Sequence, residues 1–239
     1  MRRLRLEVGK EAVAQTEDVF VCVTLDYWPA NKCDYGHCQW EGASLLSAPL
    51  DSPRLRAALR YLAPVTLRVG GTSQDNITYA GFGDETDCPP LEPQPPSQAD
   101  RFTGGCLRAE RFDALLELCV AAGARLVFSL NSVVGRGNRT RGLRPEVWDP
   151  SQALSLLRRA RAVEADPLWG VEYGNEPGHV PPSSYVFCER KAGGAPVSEA
   201  CVWQDARQAA ELQADGLRAL DAAVSDVYGP RTRSGDAAG

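Results

Sequence analysis

At 239 residues, 44% of them hydrophobic, with a formal net charge of −5, the chain suits one large domain or two small ones with a packed core. This composition excludes global disorder, and the acidic balance excludes a general nucleic-acid binder. No apolar run approaches the ~20 residues of a membrane helix, and the basic start, Met1-Arg2-Arg3-Leu4-Arg5-Leu6, lacks the apolar stretch of a signal peptide.

Residues 1–18 read as an N-terminal extension, and 19–239 as one domain. A first apolar strand is expected at 20–26. A helix follows at 52–62, with Pro53 at its first position. The second strand is 65–69. A Gly/Pro-rich loop then spans roughly 71–107, a length that in a compact domain points to function. The second helix, 108–122, places Phe112, Leu115, Leu116, Cys119 and Val120 on one face, and Gly123 ends it. The third strand is 125–131. The third helix starts at Asp149-Pro150, a cap followed by a first-turn proline. The fourth strand is 169–175. An Ala-rich fourth helix covers 203–225, and a short fifth strand is expected near 227–231.

Repeating strand–helix units imply an α/β fold with a parallel sheet and outer helices. The choice lies between an open doubly wound sheet and a barrel. No Gly-x-Gly-x-x-Gly is present, and Gly70-Gly71 alone is a weak signal. Strand alternation favours the barrel. It gathers Thr24 and Asp26, then Thr66, Arg68 and Gly70, then Ser129 and Asn131, then Glu172, Gly174 and Glu176 on one face. The opposite faces carry Val21, Val23 and Leu25, Leu67 and Val69, Phe128 and Leu130, and Val171 and Tyr173. Each strand thus has an apolar side for helices and a second side that ends in polar groups. A barrel mouth needs that pattern, whereas a parallel sheet buried on both faces reads as continuous Val/Ile/Leu.

The sharpest chemical segment is Trp169-Gly170-Val171-Glu172-Tyr173-Gly174-Asn175-Glu176-Pro177. Asn-Glu closing a fourth barrel strand is a glycosidase arrangement. The carboxyl protonates the leaving glycosidic oxygen, and the amide hydrogen-bonds a sugar 2-hydroxyl. The competing reading is a strand-ending turn, since Asn and Pro favour turns.

The cysteines pair by loop. Cys33 and Cys38 flank a short polar turn, Cys88 and Cys106 bracket the Pro-rich loop, and Cys188 and Cys201 bracket another. Disulfides there, with sequons at Asn76 and Asn138, fit the secretory pathway. Chance sequons and reduced loop cysteines are the alternative. Cys22 and Cys119 lie in apolar stretches and read as buried thiols. Zinc is disfavoured: there is no Cys-x₂-Cys and the two histidines are far apart. Nothing calls for a metal or a cofactor, and nothing sets an oligomeric state.

Several segments in order carry a resemblance. They are Phe20-Val21-Cys22-Val23-Thr24-Leu25-Asp26-Tyr27-Trp28-Pro29, Leu67-Arg68-Val69-Gly70-Gly71-Thr72-Ser73-Gln74-Asp75, Gly105-Cys106-Leu107, Phe128-Ser129-Leu130-Asn131, Glu172-Tyr173-Gly174-Asn175-Glu176 and Tyr228-Gly229-Pro230. Together they resemble glycoside hydrolase family 79, the heparanase type, and the cysteine spacings look more like its plant branch. The resemblance implies an incomplete (β/α)₈ TIM barrel, with the first four to five β–α units and truncation after strand five. It implies Glu176 as acid/base, Asn175 as its 2-hydroxyl neighbour, and Asp26 and Thr72 lining a glucuronic acid subsite. Arg68 would lie deep in the mouth, with Asn131 facing the same cavity. A structural Arg68–Glu172 ion pair across adjacent strands is the other reading of those two residues.

The family's nucleophile is a Glu at the end of the seventh strand, and retention needs two carboxyls ~5–5.5 Å apart. The expectation is therefore a retaining endo- or exo-β-glucuronidase fragment, inactive by itself. The alternative is a non-catalytic carbohydrate-binding or inactive paralogue of the same fold. The partner would be an acidic polysaccharide or a proteoglycan glycan. Four arginines in 135–144 fit its acidic groups, or form a plain solvated loop. Animal members have a basic second β–α loop, whereas 89–108 here is Pro-rich, which favours an arabinogalactan-type glycan over heparan sulfate. The resemblance also implies a secreted or membrane-associated glycoprotein of the cell wall or the lysosome/vacuole.

Overall fold

The computed structural model describes residues 12, 14–16, 18–28, 42–82, 88, 105–132, 148–175, 187–190, 196–202 and 206–230, with backbone only at 72, 76, 187–190, 196–202, 206–209 and 212. The elements are β1 (Val21–Leu25), α1 (Pro53–Leu62), β2 (Val65–Val69), a 3₁₀ turn (Thr72–Asn76), β3 (Ile77–Ala80), β4 (Gly105–Arg108), α2 (Ala109–Ala122), β5 (Arg125–Leu130), α3 (Ser151–Arg161), β6 (Leu168–Tyr173), β7 (Phe187–Arg190), β8 (Pro196–Val202) and α4 (Ala206–Tyr228).

Four strands form one parallel sheet in the order β1-β2-β5-β6. A helix lies between each pair in sequence, so the units are β–α–β, consistent with part of a TIM barrel.

Local sequence explains the helices. Ser52 caps α1 by accepting from the Leu55 amide, and Pro53 opens the first turn. In α2, Phe112, Leu115, Leu116 and Cys119 recur at helical spacing and are buried. Gly123 adopts φ 67° as the helix ends, and the Ala124 amide reaches back to the Cys119 carbonyl. Val120, expected on the same face, is 40% exposed, while Leu118 is buried. The buried arc is rotated toward Leu118, leaving Val120 on its rim. α3 begins at Ser151, so Pro150 is its N-cap and not a first-turn residue, and Asp149 lies one position outside, its Oδ1 accepting from the Ser151 amide at 2.9 Å. Ala153, Leu156, Leu157 and Ala160 form its inner stripe.

The core lies between sheet and helices. Val65, Leu67, Val69, Leu126, Phe128 and Leu130 point outward from the sheet and are buried there. Phe128 meets the Phe112 ring edge-on at 5.3 Å between centroids. Tyr173 continues the layer under Trp148, 5.0 Å away, and lies against Gly216 of α4. A Cβ at Gly216 would come within 2.1 Å of the Tyr173 hydroxyl oxygen, so only glycine lets α4 approach.

Three expectations need correction. The fifth strand near 227–231 is not one: Val227 and Tyr228 belong to α4. Leu220, Ala223, Val224 and Val227 recur at helical spacing and are buried or half-buried, so the apolar residues there continue a helix face. Gly229, at φ 83°, then ends the helix, its amide donating to the Ser225 carbonyl. The described part of the sheet thus has four strands, with residue 231 outside it. The loop expected at 71–107 contains β3 and β4, which pair in parallel as a separate ribbon. Likewise β7 and β8 form an antiparallel hairpin between β6 and α4.

Of the cysteine expectations, Cys88–Cys106 is a disulfide, with Cα atoms 5.0 Å apart. It ties residue 88 to β4. Cys188 and Cys201 are register partners in the β7–β8 hairpin, and their side chains lie outside the described residues. Cys33 and Cys38 also lie outside them. Cys119 is free and buried, as expected. Cys22 is free but exposed, which corrects its reading as a buried thiol. It alternates with Val21 and Val23, so it shares the polar face with Thr24 rather than the helix-facing side, and β1 is an edge of the described sheet.

Native-state alkylation at mildly alkaline pH tests this difference. Burial pushes the Cys119 thiol up to about 12, so it holds almost no thiolate and should react only after unfolding. Cys22 should react promptly in the native chain. Equal protection of both would contradict the exposure of Cys22.

Candidate active site

Parallel strands bring their C-terminal ends together, and the polar face foreseen from alternation gathers there. Arg68 on β2 and Glu172 on β6 form a bidentate pair. Arg68 Nε donates to Glu172 Oε1 and Oε2 at 3.1 and 2.8 Å, and Nη2 lies 2.7 Å from Oε2. The two strands are not neighbours, because β5 runs between them. The pair therefore crosses β5, where Ser129 Oγ donates to the same Oε2. Ser129 is in register with Glu172 and fully buried. The ion pair is only half-buried, with side-chain exposures of 26% and 37%.

This geometry decides the charge state. Burial pushes the Glu172 carboxyl up, but hydrogen bonds from Arg68 and Ser129 and the guanidinium charge outweigh it and hold the group below its ordinary value. Arg68 is raised chiefly by its hydrogen bond to Glu172, with Asp26 adding a smaller attraction. Arg68 also reaches the top of β6, where its Nη2 donates to Asn175 Oδ1 at 3.4 Å.

Asp26 follows β1. Its Oδ1 accepts from the Tyr27 amide at 2.5 Å, and the carboxylate lies against Gly71. A Cβ at Gly71 would fall 2.0 Å from Asp26 Oδ2, and Gly71 has φ 135°, so a side chain there meets both a clash and backbone strain. Gln74 holds this turn: its Oε1 accepts from the Gly71 amide at 2.9 Å, and its Nε2 donates to the Leu130 carbonyl at 3.2 Å.

A third carboxylate follows at the strand ends. Asp75, in the 3₁₀ turn, is only 7% exposed. Its Oδ1 accepts from the Ser132 amide and hydroxyl, each at 2.8 Å, and its Oδ2 accepts from the Asn175 amide at 3.1 Å. Gly174, at φ 69°, lets the chain turn here, since a Cβ would lie 2.7 Å from Ser132 Oγ.

The structure thus assembles Asp26, Arg68, Glu172 and Asn175 at one end of the sheet. Asn131 is placed apart from them. Its Nδ2 donates to the Ile77 carbonyl at 2.8 Å, its amide donates to Tyr79 Oη, and Trp148 Nε1 donates to its Oδ1 at 3.5 Å. At 3% exposure it clamps the β3 ribbon to the end of β5, where the strand's alternation has ceased. Thr72 and Asn76 lie in the 3₁₀ turn with side chains outside the described residues, and Glu176 and Asn138 lie wholly outside them. Reasoning from the sequence missed Asp75 and Ser132 as parts of the site. A polar run directly after a strand was their one signal.

Comparison with known proteins identifies the family. The model of glycosyl hydrolase family 79, N-terminal domain, matches residues 4–186. The chain belongs to glycosyl hydrolase family 79. It is 35% identical over 168 residues to heparanase-like protein 3 of Arabidopsis thaliana, covering 70% of this chain and 31% of that one. Against baicalin-beta-D-glucuronidase of Scutellaria baicalensis the identity is 30% over 185 residues, 72% of this chain and 35% of that protein. Hyaluronoglucuronidase of Hirudo nipponia is 28% identical over 158 residues, 60% of this chain and 31% of its own length. The chain spans about a third of the length of these relatives.

The Arg68–Glu172 pair predicts an acid dependence. A carboxyl depressed in the folded state contributes stability above its unfolded value, and the contribution is lost as pH falls through the folded value. Glu172→Gln should therefore cost stability at neutral pH and flatten the fall of the denaturation midpoint below the ordinary glutamate range. A variant whose midpoint tracks the parent's at every pH would show that the pair is not formed.

Proposed function

We propose that this chain supplies the acid/base half of a retaining β-glucuronidase site at the mouth of a (β/α)₈ barrel. The observation that carries the reading is the contact of Arg68 with both Glu172 and the Asn175 amide. It fixes a neutral amide at the strand end, immediately before Glu176 in the sequence. With Oδ1 occupied by Arg68, the NH₂ group of Asn175 is left to donate to a sugar 2-oxygen, a contact that strengthens in an oxocarbenium-like transition state. Glu176 would protonate the leaving oxygen.

Asp26, held by Gly71 and the Tyr27 amide, would accept from a glucuronic acid hydroxyl, with Thr72 beside it. Family membership and the glucuronidases among the relatives support a glycan substrate carrying glucuronic acid. Endo or exo cleavage would depend on loops beyond these residues. Both oxygens of Glu172 are taken by Arg68 and Ser129, which leaves neither free to attack a sugar carbon, so we assign the nucleophile to another carboxylate, the seventh-strand Glu that the family resemblance implies. The Cys88–Cys106 bridge supports an oxidising compartment: secretion to the cell wall, or the lysosome/vacuole.

The test uses the longest polypeptide that carries this sequence, with an alkyl β-glucuronide, whose poor leaving group needs the acid. Glu176→Gln should lower kcat/KM by about 10²–10⁴-fold, the usual worth of a positioned acid. Residues 1–239 alone should show no turnover and a tendency to aggregate, since β1 and β6 are both sheet edges among the described residues. Turnover by the short chain that Glu176→Gln abolishes would sink the two-part site. Glucuronide binding without turnover by the long polypeptide would instead favour a sugar-binding paralogue.

A further inference from the structure

We propose that Asp75 is a positioning residue for the backbone at Gly174-Asn175, directly before Glu176 in the sequence, an inference that rests on the glycosidase reading for its catalytic consequence. The 3₁₀ turn carries Asp75 from the end of β2 across the end of β5, and both of its carboxylate oxygens are engaged there. Oδ1 takes two donors from Ser132, just past β5. Oδ2 takes the amide of Asn175, just past β6. One buried carboxylate thus ties three strand ends together. It grips β6 by the backbone, at the residue that precedes Glu176 in the chain.

The position of this contact matters because β6 stops at Tyr173. Beyond it, Gly174 turns at φ 69° and the next amide has left the sheet ladder. Gly174 still donates to the Leu130 carbonyl at 3.0 Å, which is the last strand-to-strand bond. The Asn175 amide is the next donor along, and Asp75 is its acceptor. Arg68 holds the Asn175 side chain from below at 3.4 Å, a long contact that fixes the amide group rather than the backbone. Backbone direction at residue 175 therefore depends on Asp75.

The carboxylate cannot be replaced by its amide. Asn offers one acceptor and one NH₂ group. Whichever way the amide is turned, its NH₂ faces the backbone N–H of either Ser132 or Asn175. One of the two ties must break, although the volume hardly changes. Misplacing an acid by about 1 Å can cost roughly 10²-fold. That cost should fall where proton donation is needed. A sugar with a poor alkoxide leaving group depends on the acid, and a dinitrophenyl leaving group hardly does.

The experiment compares the parent, Asp75→Asn, Glu176→Gln and, as a stability control, Asp113→Asn, whose pair with Arg159 joins α2 to α3 away from the site. All are made in the longest polypeptide that carries this sequence. The first readout is backbone hydrogen exchange at Asn175, expected to accelerate about tenfold or more in Asp75→Asn and to stay unchanged in Asp113→Asn. The second is kcat/KM on an alkyl and on a dinitrophenyl β-glucuronide. Asp75→Asn should lose about 10²-fold on the alkyl substrate and less than about tenfold on the activated one, sharing its direction with Glu176→Gln. Equal losses on both substrates, or unchanged exchange at Asn175, would overturn the proposal. Should Asp75→Asn fail to fold, Ser132→Ala removes one donor from Asp75. It should show the same leaving-group bias at smaller amplitude, and its absence would count as refutation. If Glu176→Gln turns over like the parent, the glycosidase reading has failed. Exchange at Asn175 then still decides whether Asp75 holds the turn.

Discussion

The arrangement of this site depends on Arg68 reaching Glu172 across an intervening strand. Adjacent strands lie ~4.8 Å apart, so β2 and β6 are separated by about twice that. Two long side chains can close this gap only if β5 presents something small between them. Ser129 does so, and its hydroxyl also completes the carboxylate's hydrogen bonding. A larger residue would part the ions, and an apolar one of the same size would remove one of the donors to Oε2. The pair's exposure keeps its net stabilisation small, because solvent screens it. Its effect is positional: Arg68 is held in one rotamer, and that rotamer carries Nη2 to Asn175.

Above this layer the strand ends are tied by the 3₁₀ turn, not by further ladder bonds. Gln74 links Gly71 to Leu130, and Asp75 links Ser132 to Asn175, so two successive side chains span β2, β5 and β6. Close approach is possible because Gly70, Gly71 and Gly174 have no Cβ where Ser129, Asp26 and Ser132 lie. Loops normally stay at the surface because their polar groups need water. Here Ser73, Gln74 and Asp75 are buried, and the carboxylate and carboxamide serve the backbone groups that water would otherwise serve. Asn131 does the same one step outward, joining the β3 ribbon to β5 through the Ile77 carbonyl.

Periodicity made the regular parts legible. Val65–Val69 alternates cleanly, and Phe112, Leu115, Leu116 and Cys119 recur as a helix face, so both elements fall where expected. Alternation also brought Arg68, Ser129 and Glu172 to one face, because β2, β5 and β6 each stay pleated through those positions. It stopped informing at the strand ends. Asn131 leaves the pleat, and its amide turns to the ribbon, which no local pattern announces. The β3–β4 ribbon pairs segments separated by a long loop, so its signal is long-range. The stretch near 227–231 misled because Val227-Tyr228 suits a strand by propensity, while Leu220, Ala223 and Val224 upstream carry a helical stripe into it. Asp75 was invisible as a clamp because its burial, not its identity, distinguishes it from any loop aspartate.

Glu172 stands four positions before Glu176, for which the acid role is proposed. Glu172 meets a guanidinium head-on and is kept ionised. A carboxyl that must deliver a proton needs the opposite surroundings, with its charged form disfavoured. A free arginine near the strand ends would work against such an acid by drawing its proton off. By engaging Arg68 bidentately, Glu172 neutralises most of that cation's field and leaves only Nη2 to reach upward, to an uncharged amide. On this argument Glu172 is not a spare catalytic group but the counter-ion that allows an arginine to orient Asn175 without ionising the neighbour for which the acid role is proposed.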